Sequence, residues 1–337
     1  MRVFVTGGNG FIGSVVVREL AKAGHGVVCL LRETSRVDRI ESFSYVRALG
    51  DVRDVASVRK AMSACDATIH LAAPGGWDAD DPTLLRAVIE DGTNNVLTVA
   101  AELREHRVVV VSSTAAVNAS DVPEVFGENA EFTVQDQSLH YAHAKHRAEI
   151  TAREAFARGV PVIVVNPAEV YGPGDVALGT ARNLIDFVKS TPVLACHGGT
   201  SIVHVEDVAA GILAALEHGR PGERYILGGE NLTIRQLAEL VLELVDRHVP
   251  IVTVPNGLAR SVSRLGIALH LPLPYNPHVV PYATRYWFVD SAKARRELGA
   301  TFRGARETIA STLDWLRRTG VMSNKQPALA VHSAFRP

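Results

Sequence analysis

A chain of 337 residues has room for one large domain or two modest ones. At 47% hydrophobic and 21% charged, with a net charge of −1, it has the composition of an ordinary globule and no general attraction for nucleic acid or an anionic membrane. Cys29, Cys65 and Cys196 form no CxxC pair and are far apart in sequence, so Cys29 and Cys65 are expected as buried, reduced thiols.

The first thirteen residues organise the rest of the chain. Val3, Phe4 and Val5 read as a buried strand that stops at Thr6. Gly7, Gly10 and Gly13 come next, three apart, and an amphipathic helix is expected over 14–24. Strand, glycine turn and helix form the dinucleotide-binding arrangement. The glycines let the backbone approach a pyrophosphate, and the helix start offers free N–H groups and a positive dipole end. Phe11 and Ile12 are therefore read with the glycines as cofactor contacts.

A second strand is expected over 26–31. An NAD enzyme usually carries an acid at its end for the ribose hydroxyls. Here the first polar residue is Arg32, followed by Arg36 and Arg39, and an arginine suits a 2′-phosphate. NADP is thus favoured over NAD, although Glu33 keeps NAD open. A third strand (44–49) ends near Asp51 and Val52. Asp51 either accepts from the adenine amino group or caps the next helix (54–62). The fourth strand (67–73) brings Leu71, Ala72 and Ala73 to the cofactor edge, ahead of a loop bearing Trp77, a candidate for substrate stacking.

One long helix is expected over 84–103, then a fifth strand (107–111) ending in Ser112-Ser113-Thr114. After a polar loop (118–138), a helix over 141–156 opens with Tyr141-Ala-His-Ala-Lys145. A sixth strand (160–165) closes on Asn166-Pro167-Ala168-Glu169-Val170-Tyr171-Gly172-Pro173. This alternation implies an α/β fold with a doubly wound parallel sheet. Further on, the pattern gives a helix (182–189), a strand at 201–208 with a helix to 216, a strand (224–227), a helix (233–246) and an extended run (250–255). A proline-rich stretch (269–281) takes no regular assignment, helices are expected over 290–298 and 306–319, and 321–337 reads as a tail.

Tyr141 and Lys145 stand four apart, on one helical face. Hydride chemistry at a carbonyl needs a proton donor. A free tyrosine has a pKa of about 10, and an ammonium one turn away, together with the positive nicotinamide ring, is expected to lower it. Ser113, at a strand end, is placed to orient the carbonyl oxygen, and Lys145 to hold the nicotinamide ribose as well.

These residues resemble the extended short-chain dehydrogenases/reductases, the NAD-dependent epimerase/dehydratase family. The resemblance is carried by Thr6–Gly13, Gly50-Asp51-Val52-Arg53-Asp54, His70-Leu-Ala-Ala73, Ser112-Ser113, Tyr141-x-x-x-Lys145, Asn166-Pro167, Tyr171-Gly172-Pro173 and His204-Val-Glu-Asp-Val208. It implies Ser113, Tyr141 and Lys145 as the catalytic set, with Thr114 as the fallback for Ser113. It also implies cofactor contacts from Pro167, Ala168 and Val170, and a smaller mixed α/β carboxyl-terminal lobe over the substrate. Residues 1–171, with 201–228 and about 282–294 returning, form the expected dinucleotide-binding (Rossmann) domain. Residues 172–200, 229–281 and 295–320 form the expected lobe.

Departures narrow the reading. The Asn that often precedes the Gly-Thr of the fourth helix is missing, with Ile89 in that region. Ala115-Ala116 occupy the acid and base places of sugar-nucleotide dehydratases. The diphosphate-gripping arginines are absent near Thr200 and Val280, leaving Arg285 as the nearest substitute. The positive resemblance is to the dihydroflavonol-4-reductase-like subgroup, through His70-Leu-Ala-Ala-Pro74, Asp81-Pro82, Arg32 and Tyr286-Trp287-Phe288-Val289-Asp290.

The expectation is an NADP(H)-dependent reductase of a small ketone or aldehyde. The alternatives are an NAD-dependent nucleotide-sugar epimerase and, further off, a cofactor-sensing regulator without turnover. Glu169 and Tyr286 are further substrate candidates, and His204 is expected to be structural. No metal-ligand spacing occurs. No charged-then-apolar leader precedes Val3 and no run is long enough to span a bilayer, so no membrane partner is expected and the cytoplasm is the expected compartment. The helices at 84–103 and 141–156 suggest a homodimer.

Overall fold

The structure, a computed structural model, describes residues 1–75, 81–103, 106–269 and 277–322. Trp77 lies outside the described residues. The central sheet is parallel and has seven strands: β1 (Arg2–Thr6), β2 (Gly26–Leu31), β3 (Val46–Leu49), β4 (Ala67–His70), β5 (Arg107–Val111), β7 (Val162–Pro167) and β11 (Arg224–Leu227). Their spatial order is β11-β7-β5-β4-β1-β2-β3. The order reverses between β1 and β4, and in such sheets ligands bind at that crevice. Val3, Phe4, Val5 and Val108–Val110 are buried because helices cover both faces, which is why these strands read as unbroken apolar runs. One core joins the sheet to α1 (Phe11–Lys22), α7 (Val205–His218) and α11 (Ala292–Leu298). The other joins it to α2 (Val55–Met62), α4 (Gly92–Glu102) and α5 (His140–Ala157).

The expected helix over 84–103 is three pieces: α3 (Pro82–Leu85), a π-helical turn (Arg86–Asp91) and α4. The π turn shifts the face by part of a turn. Leu85 and Ile89 pack against Ala144 and Ala148 of α5, while Val96, Val99 and Ala100 pack under the sheet. The apolar pattern runs through this change of partner without a break. The fourth strand stops at His70, short of 73, because the Ala72 N–H turns to the Thr6 hydroxyl (3.2 Å). The sixth expected strand starts two residues late: the Val160 N–H still closes α5 on the Ala155 carbonyl (3.1 Å).

A second sheet has five strands: β6 (Val125–Phe126), β8 (Glu169–Tyr171), β10 (Gly199–His204), β12 (Glu230–Thr233) and β14 (Tyr286–Val289). The strand expected at 201–208 and the Tyr286 motif therefore pair with each other here, not in the central sheet, while α7, β11 and α11 return to the central sheet. The remaining elements are a two-stranded sheet, β9 (Val193–Cys196) with β13 (Ile251–Val254), and α6 (Ala181–Lys189), α8 (Ile234–Leu244), α9 (Asn256–Ala268), α10 (Val280–Ala283) and α12 (Ala305–Arg318). Thr233 starts α8 with a capping box closed by Gln236. Among the described residues no helix is long and apolar enough to cross a membrane, and no three His, Cys, Asp or Glu residues group to hold a metal.

Candidate active site

The glycine turn is built for close approach. Gly7 has φ +69°, and a Cβ there would meet Ala72 N at 2.9 Å, so the β4 exit lies directly against it. A Cβ on Gly13 would stand 2.1 Å from the Gly7 carbonyl oxygen, so α1 can start this near the strand only without one. Helix α1 has Gly10 at its N-cap and no side-chain cap, so the first N–H groups of its opening turn, Phe11 and Ile12 among them, face the crevice without a side-chain acceptor. A pyrophosphate fits this cradle by shape and sign. Leu71 and Ala72 line its far side, and Ala73 packs against the Leu85, Ile89, Ala144 and Ala148 cluster that Tyr141 also covers.

At the end of β2, Arg32 is exposed. Its backbone is fixed by the Ser35 hydroxyl on its N–H (3.0 Å) and by Arg47 on its carbonyl (3.3 Å). No ion pair in the described residues engages its guanidinium, whereas Arg36 is paired with Asp38 (2.7 Å). Arg39 is partly buried, and desolvation holds its pKa below the usual arginine range. The field of Asp175 opposes that shift. Among the described residues neither Arg32 nor Arg39 forms an ion pair, although the fields of Asp51, Asp175 and Asp38 reach this loop after β2.

Asp51 differs from one of its two expected roles. The cap of α2 is Asp54, whose carboxylate accepts from the Ala56 N–H (3.0 Å). The Asp51 carboxylate instead accepts from the Arg53 N–H and guanidinium (2.7–3.0 Å), and those bonds hold its pKa low. The Val52 carbonyl accepts from Asn95 (2.8 Å), and its side chain fills the space above Gly92.

Ser113 follows β5 and starts a 3-10 turn (Thr114–Ala116); its hydroxyl accepts from the Ala115 N–H at 3.2 Å. The same hydroxyl is the neighbour that favours the Tyr141 phenolate. The fallback, Thr114, is buried inside the turn. Tyr141 lies between two apolar clusters, Leu85 with Ile89 on one side and Ala115, Val134 and Trp287 on the other, yet keeps part of its surface open. Burial pushes its pKa up to about 12. This corrects the expected lowering by Lys145. The ammonium stands 5.8 Å from the Tyr141 ring centre but donates to the Val111 carbonyl (2.8 Å), so desolvation prevails. Lys145 is itself pushed down to about 8 by burial, against the opposing field of Glu149.

Sequence reasoning missed Glu149. It is 3% exposed and accepts from Ser112 Oγ (2.5 Å), Asn166 Nδ2 (2.6 Å) and Arg224 (3.2 Å). Its spacing, four residues beyond Lys145, was the available signal. His70 was missed as a site residue: its ring lies 2.7 Å from the Thr6 hydroxyl and 3.1 Å from that of Thr93, and burial lowers its pKa to about 3, which keeps it neutral.

Other candidates fall elsewhere. Pro167 and Ala168 lie buried at the end of β7, and Ala168 N–H donates to the Leu227 carbonyl (3.0 Å). Val170 points its side chain into the core, pairs with Val203 of β10, and its carbonyl accepts from the Thr180 hydroxyl (2.5 Å). Glu169 accepts from Tyr171 (2.7 Å) and Asn183 (3.1 Å), and burial raises its pKa. It is half-buried at the start of β8, with these two donors on its carboxylate. Tyr286 is 8% exposed and edge-on to Phe288. Arg285 is engaged by Asp136 (2.9 Å) and the Pro281 carbonyl (2.6 Å). His204 caps α7 by accepting from the Glu206 N–H (3.2 Å), the structural role expected of it.

Residues 3–228 match the NAD dependent epimerase/dehydratase family. A Synechocystis sp. protein provisionally named a dihydroflavonol 4-reductase is 29% identical over 332 residues, spanning 96% of either chain. A Stigmatella aurantiaca protein named a 4-hydroxy-2-methyl-3-oxo-4-farnesyl-3,4-dihydroquinoline-1-oxide ketoreductase is 31% identical over 330 residues, covering 95% of this chain and 97% of that one. Among solved structures, the crystal structure of gox2253 is 30% identical, with a TM-score of 0.82 over 95% of this chain and 99% of that one. The chain belongs to the NAD-dependent epimerase/dehydratase family and is an NAD(P)-dependent enzyme of the extended short-chain dehydrogenase/reductase type.

Proposed function

We propose that this protein reduces a ketone or aldehyde of a small molecule to the alcohol with NADPH. The observation that carries the reading is the grouping of Ser113, Tyr141 and Lys145 at the carboxyl edge of β5, beside a glycine turn flanked by Arg32. Bound NADPH supplies the hydride. Tyr141 gives its phenol proton to the oxygen that gains charge, and Ser113 donates to the same oxygen and orients it. Lys145 stabilises the phenolate left behind and holds the nicotinamide ribose. Arg32 meets the 2′-phosphate, and Arg39 is a second cation within the same loop. Asp51 and Val52 flank the adenine.

The named reductases among the relatives support this direction. The engagement of Arg285 by Asp136 counts against the rival reading, a nucleotide-sugar epimerase, since the nearest cation for a diphosphate is already paired. In this reading the segments around the second sheet form the substrate lobe, and the α4–α5 face is the surface on which two copies would pair. The substrate is a small uncharged carbonyl compound, and a soluble cytoplasmic setting suits it.

The test is fluorescence titration of NADPH and NADH into the wild type and Arg32→Asp. Loss of one charge-assisted phosphate bond, about 1.5–3 kcal/mol, corresponds to NADPH affinity falling roughly 10- to 150-fold, with NADH spared. A wild type that prefers NADH, or a preference untouched by the substitution, removes the NADP assignment. Purified protein carrying tightly bound NAD would favour the epimerase.

A further inference from the structure

We propose that Glu149 is the positioning residue of this site: its buried carboxylate fixes the strand-end serines and supplies the counter-charge that keeps Lys145 an ammonium. This rests on the roles given above to Tyr141 and Lys145 and adds a residue to them. Tyr141, Lys145 and Glu149 recur every four residues on α5 and so share a face. The Glu149 carboxylate accepts from Ser112 Oγ (2.5 Å), the residue after β5, and from Asn166 Nδ2 (2.6 Å), near the end of β7. The same Asn166 amide donates to the Ser113 carbonyl oxygen at 2.8 Å. Moving the carboxylate therefore moves the peptide that carries the Ser113 hydroxyl.

On its other side Glu149 is met by Arg224 at 3.2 Å. Arg224 is itself held by the carbonyls of Glu128 (2.6 Å) and Ala130 (2.8 Å). Burial of this carboxylate, 3% exposed, raises its pKa, and its three donors, one of them cationic, oppose that shift and favour the charged form. Such an arrangement at the centre of four elements points to a task in the site itself.

The groups that face Lys145 come from three elements. Val111 of β5 offers a carbonyl, His70 of β4 is neutral, and Tyr141 and Glu149 lie on α5 itself. Beyond Glu149 stands Arg224 of β11. Burial drives Lys145 toward the neutral amine, and Glu149 is the anion that opposes it. A neutral amine could neither steady a phenolate nor hold its share of the positive field, so Glu149 sets the pH up to which the site functions.

The experiment uses the whole chain labelled with 13C at lysine Cε. The sequence has only six lysines, and Lys145→Arg identifies the Lys145 resonance. In the wild type Lys145, pushed down to about 8 by burial, is expected to show its midpoint there. Glu149→Gln keeps the shape and removes the charge, leaving Arg224 unpaired, and both effects act in one direction. The Lys145 midpoint then falls by about one pH unit or more. Asn166→Ala breaks the link to the Ser113 carbonyl and removes one neutral donor from Glu149 while keeping its carboxyl, and should lower NADPH-dependent turnover of a test panel of aryl ketones while moving the Lys145 midpoint less than Glu149→Gln does. A merely structural Glu149 would lower the melting temperature of both variants without moving Lys145. If Glu149→Gln does not hold its fold by circular dichroism, Glu149→Asp retracts the carboxylate by one methylene and gives a smaller fall in the same direction. A Lys145 midpoint unchanged in the folded Gln or Asp variant overturns the proposal. The titration reads Lys145 without turnover, so failure of the carbonyl-reductase reading would show separately, as absent NADPH oxidation beside a normal Lys145 response.

Discussion

Gly13→Ala is the sharpest test of the cofactor cradle. The new methyl would lie 2.1 Å from the Gly7 carbonyl oxygen and 2.9 Å from Gly8 Cα. Both are backbone atoms, and no rotamer change relieves them. Contacts between heavy atoms are comfortable only near about 3.5 Å, so α1 must withdraw from the turn by roughly 1 Å. Overpacking of this kind costs about 1–3 kcal/mol, and a clash against backbone on two sides belongs at the upper end. At about 1.4 °C per kcal/mol in a chain of this size, the melting temperature should drop by roughly 3–4 °C. The withdrawn helix would no longer present its N–H groups to a pyrophosphate, so the stabilisation that NADPH gives the wild type should vanish as well. Differential scanning fluorimetry with and without NADPH measures both effects. Gly257→Ala is the control: it lies in α9, with nothing within 4 Å of the added methyl, and should melt at or slightly above the wild type. A Gly13→Ala protein that melts with the wild type and keeps its NADPH response would refute the close-approach argument.

Four further outcomes rest on the same structure. Reductase turnover should be level below pH 8 and decline as pH rises through about 8, where Lys145 loses its proton; a decline beginning several units higher would remove Lys145 from the account. The same group has a stability consequence. Its folded pKa lies below the ordinary 10.5, so between about 8 and 10.5 the unfolded chain binds more protons, and stability through this group rises with pH in that window. Urea melts of wild type and Lys145→Met across that window check the sign. His204→Ala removes the cap of α7 and should cost about 1 kcal/mol in urea unfolding without altering NADPH affinity. Cys29 is fully buried with its thiol pushed up to about 12, so it should resist iodoacetamide in native protein and react only on unfolding, as peptide mass mapping would show.

The central strands and the helices against them were legible because their burial produces the apolar pattern directly: Val3–Val5, Val27–Leu31 and Val108–Val111 face core on both sides. The glycine turn was legible because its spacing is itself the geometry. Helix α9 was not. Its buried face is Ala259, Ser263 and Gly266, while Leu258, Leu265 and Leu269 are exposed, so the hydrophobic period points away from the packing. Short strands such as β6 and β8 were lost for another reason: two or three residues give no period, and only partners far along the chain define them. In the site, Tyr141, Lys145 and Ser113 could be placed by spacing. The charge state of Tyr141 could not, because it depends on Leu85, Ile89 and Trp287 closing around it from three separate segments. Glu149 escaped for the same reason, since its donors come from β5, β7 and β11.

The claim on which the rest depends is that Tyr141 delivers the proton as hydride reaches the carbonyl carbon. A crystal structure with NADP and a bound ketone measures it most directly. Proton delivery requires the Tyr141 oxygen within about 3–3.5 Å of the ketone oxygen, with Ser113 on the same atom and the Lys145 ammonium released from the Val111 carbonyl toward the ribose. A Tyr141 ring still closed between Leu85 and Trp287, with Lys145 still on Val111 and the ketone met by another donor, would contradict it.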